Sequence, residues 1–171
     1  KCPEFMIDVE GLVVTRLEKL ASIGNELATI HAMRPDVVVI DELETFEDLD
    51  ACVSLAEEGV YVIGVARGIT TVETLNRLMD LEPTGMGDSF RSRFSQVFGG
   101  CIAQVIVKRK VGDKPMVAAE VCIAHHAIRS WFREGKQAQI PGMIAVGEAY
   151  GMTRQAQTLF RLVKGGVVEL E

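Results

Sequence analysis

The sequence lacks the features of membrane-spanning chains and of cysteine-rich or zinc-binding domains. It contains no apolar run approaching the ~20 residues that cross a bilayer, and no charged-then-apolar leader opens it. Its four cysteines, Cys2, Cys52, Cys101 and Cys122, are widely scattered, without a CxxC pair or a Cys/His run at zinc-finger spacing. We therefore expect a cytosolic chain whose cysteines are small, reduced core residues.

The sequence also lacks an excess of basic charge, since its 24 acidic residues outnumber its 18 lysines and arginines. The 171 residues carry a formal net charge of −6, which argues against a general nucleic-acid or anionic-membrane surface. Hydrophobic residues make up 48% and charged residues 25%, the balance of a globular chain with a buried core. Internal repeats and low-complexity linkers are missing, so we expect one domain of ordinary size. Because the first residue is Lys1 rather than Met, we expect a piece of a longer protein.

A phosphate-binding loop is missing as well. The motif G-x-x-x-x-G-K-[ST], whose backbone cradles phosphates in P-loop enzymes, does not occur. Gly85 and Gly87 have no lysine in register, and Gly99-Gly100 precedes a predicted strand rather than a helix. We interpret these glycines as loop caps. The absence of the motif argues against autonomous ATP hydrolysis by this chain.

The first half of the sequence alternates between helices and strands. Helical spacing and β-branched runs predict helix 22–33, strand 37–40, helix 46–56, strand 60–66 and helix 71–81, after extended segments at 5–7 and 11–15. The run 37–40 has no polar alternation, so we expect that strand to be buried on both faces, as in a parallel sheet covered by helices. This order predicts an α/β fold.

The second half predicts a hairpin followed by helices. A helix over 88–97 leads to strands over 102–110 and 116–123, the pattern of a hairpin at the edge of a sheet. The remaining elements are predicted at 127–133, 137–146 and 154–163 (helices) and 167–170 (a short strand). We place a boundary near Ile123, which divides the chain into an α/β part, 1–123, and a small helical subdomain, 124–171.

Two acidic residues, Asp41 and Glu42, follow the apolar run 37–40. Open α/β sheets bind their ligands at the carboxyl ends of such strands. In phosphate-transfer enzymes an Asp at this point holds Mg²⁺, directly or through water, and a following Glu polarises the attacking water. The pattern indicates a nucleotide site, and the alternative is two solvated carboxylates after a core strand.

A series of motifs resembles the secretion-ATPase superfamily, the motors of type II and type IV secretion and of type IV pili. In chain order, the similar stretches are 34–42, 56–59, 71–80, Arg93, Gln104, Lys108-Arg109 and 118–120. They resemble the family's Walker B region, its A-E-T-G sequence, its T-I-x-R-x-x-D helix, the segment before its edge hairpin and the returning strand. The resemblance covers about 4–168, almost the whole chain.

One helix narrows the resemblance to the retraction ATPases of twitching motility, the PilT-like proteins. Residues 127–134 resemble the A-I-R-N-L-I-R-E helix typical of these proteins, and Gln139-Ile140 and 151–153 resemble the Q-I and G-M-x-T sequences that follow it. Extension-type pilus ATPases usually carry a zinc-binding insert with four cysteines, which this sequence lacks.

The resemblance implies a RecA-like, P-loop NTPase-type fold with a mostly parallel sheet, an edge hairpin and a small C-terminal helical subdomain. It implies ATP and Mg²⁺ as cofactors, with Glu42 polarising water and Asp41 anchoring Mg²⁺ directly or through water. Glu4 resembles the glutamate of the family's acidic box, which positions or activates water. Arg16 falls near an arginine that would stabilise the γ-phosphate. For Glu4 and Arg16 the alternative is an exposed charge beside a strand.

Three positions depart from the family pattern. Arg67 replaces the histidine of the T-L-H-T box, and Glu44 stands where an arginine follows Walker B. Asp41 occupies a position that is usually Gly in PilT-like proteins, and V-I-D-E is also similar to sporulation- and plastid-type relatives. Glu44 in place of an arginine and Arg67 in place of a neutral histidine change the charges around the γ-phosphate. We assign Arg67 to this site as a cofactor-binding residue.

The helix 127–136 is a candidate contact surface. The resemblance implies that Arg129, Trp131, Phe132 and Arg133 bind the inner-membrane platform of a pilus or secretion machine. The alternatives are a solvated face for the arginines and core anchoring for Trp131 and Phe132. The resemblance also implies a hexameric ring, no nucleic-acid partner, and a cytoplasmic protein held at the inner membrane by its partners.

The sequence therefore predicts the C-terminal, RecA-like part of a PilT-like motor ATPase that couples ATP hydrolysis to pilus retraction or related secretion. We expect the phosphate loop to lie in an upstream segment. One alternative, favoured by the missing loop and by Arg67 and Glu44, is a catalytically degenerate pseudo-ATPase that acts as a scaffold or regulatory subunit. Another is a non-pilus relative that serves sporulation or another envelope process.

Overall fold

The computed structural model describes residues 15, 23–83, 85, 87–112 and 114–168 of the chain. Apart from Thr15, which is in no regular element, the predicted extended segments at 5–7 and 11–15 lie outside the described residues. The chain divides into two compact units, Lys1–Val65 and Ala66–Glu171.

The first unit contains a strand–helix–strand unit preceded by a helix. Its elements are α1 (Ile23–Met33), β1 (Val37–Asp41), α2 (Phe46–Glu57) and β2 (Tyr61–Val65). The strands are parallel, in a register that pairs Val37 with Tyr61 and Asp41 with Val65. Parallel strands need a crossover connection, which α2 provides. The predicted order of these elements is confirmed.

Helix α2 begins and ends at residues suited to those positions. The hydroxyl of Thr45 accepts a hydrogen bond of 3.2 Å from the Asp48 N–H, which satisfies one donor of the first turn. Gly59 has a φ of +96°, a left-handed conformation that glycine adopts without strain, and it turns the chain toward β2. Between these ends, Leu49 and Leu55 are buried. The crossover therefore has defined ends and a packed face.

Strand β1 is not covered on both faces, as its apolar run predicted. Ile40 is buried, whereas Val37 and Val39 are 50% and 59% exposed. Tyr61 and Ile63, their partners in β2, are exposed too. Successive side chains of a strand point to opposite faces, so one face of this pair is open. The prediction assumed elements on both faces, and the described residues of this unit cover one.

The second unit combines a hairpin with helices. Its elements are α3 (Thr71–Asp80), α4 (Gly87–Val97), β3 (Gly100–Val107), β4 (Met116–Ile123), α5 (His126–Arg133), α6 (Ile140–Val146) and α7 (Gln155–Lys164), with 3-10 helices at Gln137–Gln139 and Glu148–Tyr150. Strands β3 and β4 are antiparallel, from Gly100 opposite Ile123 to Val107 opposite Met116. In the described part of the chain each strand pair is a separate two-stranded sheet. The hairpin and the helices after it are confirmed, and the hairpin's place at the edge of a larger sheet stays a prediction.

Four phenylalanines pack where α4 meets α5. The ring of Phe94 stacks on Phe132, with centroids 4.7 Å apart, and on Phe98 at 5.4 Å. The ring of Phe90 lies 6.3 Å from that of Phe94. All four side chains are buried. This cluster is the aromatic core of the second unit, because rings of this size dominate the apolar area that a small domain buries.

The chain after α7 does not form the predicted strand at 167 and 168. Gly166 adopts a φ of +68°, and Val167 and Val168 follow in a bend. The carbonyl of Val167 accepts a hydrogen bond of 2.9 Å from the Lys110 N–H. One such bond attaches the segment to the loop after β3 without making a strand ladder, and residues 169 and 170 lie outside the described part.

Candidate functional site

Asp41 and Glu42 lie together at the carboxyl end of the parallel strand pair. Asp41 is the last residue of β1, opposite Val65, and its side chain is exposed. Glu42 begins the following loop and is half-buried, and the peptide bond between the two residues is cis. The structure thus brings both carboxylates to the strand end at which open α/β sheets bind their ligands.

The loop that carries Glu42 is attached to β2 on both sides. Asp41, before it, is paired with Val65 in the strand register. After it, the Leu43 N–H donates a hydrogen bond of 2.7 Å to the carbonyl of the same Val65. Glu42 therefore stands between two tethered neighbours, and a fixed backbone is what a preorganised polar site requires.

The approach of Leu43 to β2 depends on Gly64. A Cβ added at Gly64 would lie 2.6 Å from Leu43 Cδ1 and 3.4 Å from Leu43 Cγ. Packed side chains do not approach so closely, so a Cβ at residue 64 would displace the end of the Leu43 side chain from its present position. No local sequence pattern predicts this contact, because the two residues belong to different elements.

A buried carboxylate, Asp48, connects the start of α2 to the start of α1. Asp48 is 0% exposed, and its Oδ1 accepts a hydrogen bond of 2.9 Å from the Ile23 N–H. Ile23 is the first residue of α1, where backbone N–H groups lack helical partners. Sequence reasoning missed Asp48. The one indication in the sequence that Asp48 is buried is its position four residues before Cys52, on the apolar face of α2.

Arg67 lies in the loop between β2 and α3, within the second unit, and its side chain is exposed. The chain after it runs directly against α3, since a Cβ at Gly68 would clash with Thr74 Oγ1. Asp41 and Glu42 belong to the first unit. Glu4 and Arg16, the other residues predicted at the nucleotide, lie outside the described residues.

The predicted partner-binding residues of α5 differ in exposure. Phe132 is 0% exposed and stacks on Phe94. The structure therefore supports the core-anchor alternative for Phe132, because its side chain has no accessible surface left for a partner. Trp131 is half-buried and Arg133 is exposed. Of the predicted set, Arg133 thus offers a partner the most accessible side chain.

Arg129, the remaining member of that set, is bonded to the end of α4. Its Nη1 donates hydrogen bonds to the carbonyl of Ser95, at 3.2 Å, and to the carbonyl of Gln96. The last carbonyl groups of a helix lack helical partners and attract cations. Arg129 is half-buried and its bonds join α4 to α5, which fits neither a purely solvated face nor a freely accessible contact.

Cys52 and Cys122 are buried core residues, as predicted, whereas Cys101 is half-buried and Cys2 lies outside the described residues. Burial raises the pKa of Cys52 to about 12, and the negative charge of Asp48 raises it further. Burial is also the main cause that raises the pKa of Cys122 to about 12, with Cys101 and Glu120 adding to it. Thiols with such pKa values stay protonated near neutral pH and are poor nucleophiles.

The described ranges contain neither a metal-binding cluster nor a membrane-spanning helix. Within them, no group of three or more His, Cys, Asp or Glu side chains is arranged to hold a metal ion. Among the helices of the same ranges, none is both long and apolar enough to cross a membrane.

The sequence is similar to those of proteins that act in twitching motility and pilus retraction. No protein-family model matches it. The twitching motility protein of Neisseria gonorrhoeae is 30% identical over 150 residues, which cover 88% of this chain and 40% of that protein. The type IV pilus retraction ATPase PilT of Pseudomonas aeruginosa is 30% identical over 152 residues, which cover 88% of this chain and 44% of that protein.

The fold is similar to that of the pilus retraction motor PilT in its crystal structure with bound ADP. The TM-score is 0.75 at 26% sequence identity, over 86% of this chain and 41% of that one. This likeness confirms the predicted fold class, and the sequence relatives confirm the predicted resemblance to PilT-like secretion ATPases. The chain spans about two-fifths of the length of these relatives.

Proposed function

From its likeness to the PilT-like secretion ATPases, we propose that this chain is the C-terminal, RecA-like part of a motor ATPase that couples ATP hydrolysis to type IV pilus retraction. The observation that carries the proposal is the carboxylate pair Asp41 and Glu42 at the end of β1, in a chain with this fold. Phosphoryl transfer to water needs an oxygen ligand for a metal ion and a group that orients the water, and adjacent carboxylates can supply both.

In the proposed site, Glu42 polarises the attacking water and Glu4 helps to orient it. Arg67 and Arg16 bind phosphate oxygens of ATP. Asp41 would hold Mg²⁺, directly or through water, and the ion supplies charge neutralisation at the phosphates when bound. The exposed Asp41 carboxylate fits that ion, because Mg²⁺ prefers oxygen ligands and is usually held by one or two carboxylates while keeping several waters.

The phosphate-binding loop is proposed to lie in another part of the native protein. The 171 residues contain no G-x-x-x-x-G-K-[ST] motif, and they span about two-fifths of their relatives. Without a loop to cradle the phosphates, Asp41 and Glu42 have no bound substrate on which to act. We therefore expect the isolated chain to hydrolyse ATP negligibly.

The substitution Glu42→Gln in the full-length native protein tests the proposal. Gln keeps the size of the side chain and removes the charge that polarises water, so we expect ATP turnover to fall about 10²- to 10⁴-fold while ATP binding persists. Phosphate release and the affinity for a fluorescent ATP analogue are measured in parallel. Glu47→Gln is the matched control, since Glu47 is an exposed carboxylate of the first turn of α2. Unchanged turnover in Glu42→Gln would refute the proposal.

A second candidate function is a pseudo-ATPase, a scaffold or regulatory subunit of a pilus or secretion machine. It is favoured by Arg67 and Glu44, which stand where related ATPases carry a histidine and an arginine. The same measurements separate the two functions. Native protein that binds the ATP analogue without releasing phosphate is the result expected of a pseudo-ATPase.

The remaining assignments belong to the same proposal. Residues 1–123 form the ATPase core part and 124–171 a helical subdomain. The native protein assembles into a hexameric ring in the cytoplasm, and it is held at the inner membrane by a platform protein. The exposure of Arg133, beside the half-buried Trp131, supports α5 as the surface that contacts this platform.

A further inference from the structure

The loop of residues 66–70, called the arginine loop because it carries Arg67, ends at the first turn of α3. Its last residue, Thr70, accepts a hydrogen bond of 3.2 Å from the Glu73 N–H through its hydroxyl. In return, Oε2 of Glu73 accepts a hydrogen bond of 3.2 Å from the Ile69 N–H. These two bonds attach the end of the loop to the helix that follows it.

Two residues from distant parts of the chain hold the same loop. Glu120, on β4, accepts a hydrogen bond of 2.8 Å from the Thr71 N–H through its Oε1. Gln155, the first residue of α7, donates a hydrogen bond of 3.0 Å from Nε2 to the carbonyl of Ile69. A carboxylate is stabilised at the first turn of a helix, where N–H groups lack helical partners. The loop is thus bonded to α7 at Ile69, and the first residue of the helix after it is bonded to β4.

The strand and the helix that supply these two side chains are bonded to each other. The backbones of Val121 and Thr153 exchange two hydrogen bonds, of 2.9 and 3.1 Å. Glu120, the residue before Val121, bonds to the start of α3. The carbonyl of Ala119 accepts a hydrogen bond of 2.8 Å from Thr158 Oγ1 in α7. Strand β4 and the start of α7 therefore form one bonded frame.

Gly68 places the arginine loop in direct contact with α3. A Cβ at this residue would clash with Thr74 Oγ1, and the Thr74 hydroxyl itself donates a hydrogen bond of 2.8 Å to the carbonyl of Thr70. The backbone after Arg67 is consequently fixed by the packing of Gly68 and by the hydrogen bonds of Ile69 and Thr71. Ordering a charged side chain against a ligand costs less when its backbone is already fixed.

We infer that Glu120 and Gln155 are positioning residues that hold the arginine loop so that the Arg67 guanidinium meets the phosphate oxygens of the nucleotide. The inference rests on the proposed function, because Arg67 has this role only in a protein that binds ATP. Neither Glu120 nor Gln155 touches the nucleotide in this arrangement. Both act through the backbone that carries Arg67.

A double-mutant cycle in the full-length native protein tests this coupling. We expect Arg67→Ala and Glu120→Ala each to lower ATP turnover, or the affinity for an ATP analogue if turnover is absent, by about tenfold. The double variant should be no worse than Arg67→Ala alone, because Glu120 acts only through Arg67. Glu120→Gln keeps an acceptor oxygen and should restore activity to within about threefold of native, since an uncharged acceptor makes a weaker bond. Gln155→Ala should repeat the Glu120→Ala pattern with a smaller loss.

Thr158→Val is the matched control, because it removes one peripheral hydrogen bond of this frame and keeps the Val121–Thr153 backbone pair and the bonds of Glu120 and Gln155. It should keep native turnover and affinity. An equal loss in Thr158→Val, or additive losses in the double variant, would overturn the inference in favour of general damage to β4. If Arg67→Ala has no effect while Glu42→Gln abolishes turnover, the positioning inference fails and the proposed function stands. A native protein that neither binds nor hydrolyses ATP refutes both.

Discussion

At the scale of single residues, Gly64 lies against the side chain of Leu43, the residue after Glu42. The Gly64→Ala substitution places a methyl group where Leu43 now packs, and Leu43 supplies the N–H that attaches the Glu42 loop to β2. We expect a loss of about 1 kcal/mol in the free energy of unfolding, the lower end of the usual range for overpacking, because the added methyl group meets the end of a flexible side chain. Urea denaturation of the variant and the parent chain measures this loss.

A second substitution identifies the cause of the Gly64→Ala loss. Leu43→Ala in the same chain removes the atoms that meet the added methyl group, so the double variant should lose less than the sum of the two single variants. Gly85→Ala does not serve as a control, because Gly85 has a φ of +105° and would be strained for that reason alone. Strictly additive losses at 43 and 64 would show that the two residues do not compete for space.

Within the single helix α5, two adjacent residues have different roles: Phe132 packs in the core and Arg133 lies on the surface. Phe132→Ala should lower the free energy of unfolding by about 3–5 kcal/mol, because it empties the centre of the phenylalanine cluster. Arg133→Glu should change it by less than about 0.5 kcal/mol, because the side chain is exposed. Thermal or urea unfolding of both variants checks the contrast.

The Arg133→Glu variant also tests the proposed platform surface on α5. In cells of the native host, Arg133→Glu should abolish twitching while pili remain assembled and the purified protein keeps its ATP turnover. Lys164→Glu, an equal change of charge at an exposed position on α7, is the control and should leave twitching intact. Normal twitching in the Arg133→Glu strain would remove α5 from the proposed interface.

The elements that the sequence predicts best are those whose signal is local. Helix α5 and the strand–helix–strand order follow from periodicity, and Asp41 and Glu42 are found because they interrupt an apolar run. The prediction that β1 is buried on both faces was wrong, because an apolar run does not reveal which faces of a strand other elements cover. Glu120 and Gln155 were missed as partners of the arginine loop for a related reason: nothing near them in the sequence points to Ile69 or Thr71.

For the molecule as a whole, the buried thiols make the free energy of unfolding depend on pH in the alkaline range. In the folded chain the pKa of Cys52 and of Cys122 is raised from 9.0 to about 12, so the folded state keeps protons that the unfolded state loses. The stability that the protonated thiols contribute is complete below pH 9 and is lost as the pH rises toward 12. The free energy of unfolding should fall by about 1.4 kcal/mol per pH unit for each thiol in this range.

Urea denaturation at pH 8, 9 and 10 measures this slope, and Cys52→Ala isolates one thiol. The variant should be less stable at pH 8, because a buried side chain is shortened, but its stability should fall less steeply above pH 9. Parallel curves for the variant and the parent chain would mean that Cys52 ionises in the folded state near its ordinary pKa.

The hydrogen bond between Lys110 and Val167 has a consequence for how the chain is made. A ribosome adds about 5–20 residues per second, so the β3–β4 hairpin has been synthesised several seconds before Val167 is added. During that interval water must take the place of the Val167 carbonyl at the Lys110 N–H, in the loop after β3. Lys108, Arg109 and Lys110 lie in this loop and are exposed, and positive charge beside a strand discourages its pairing with a strand of another chain. The three cations thus disfavour association of the newly made hairpin until Val167 has been synthesised.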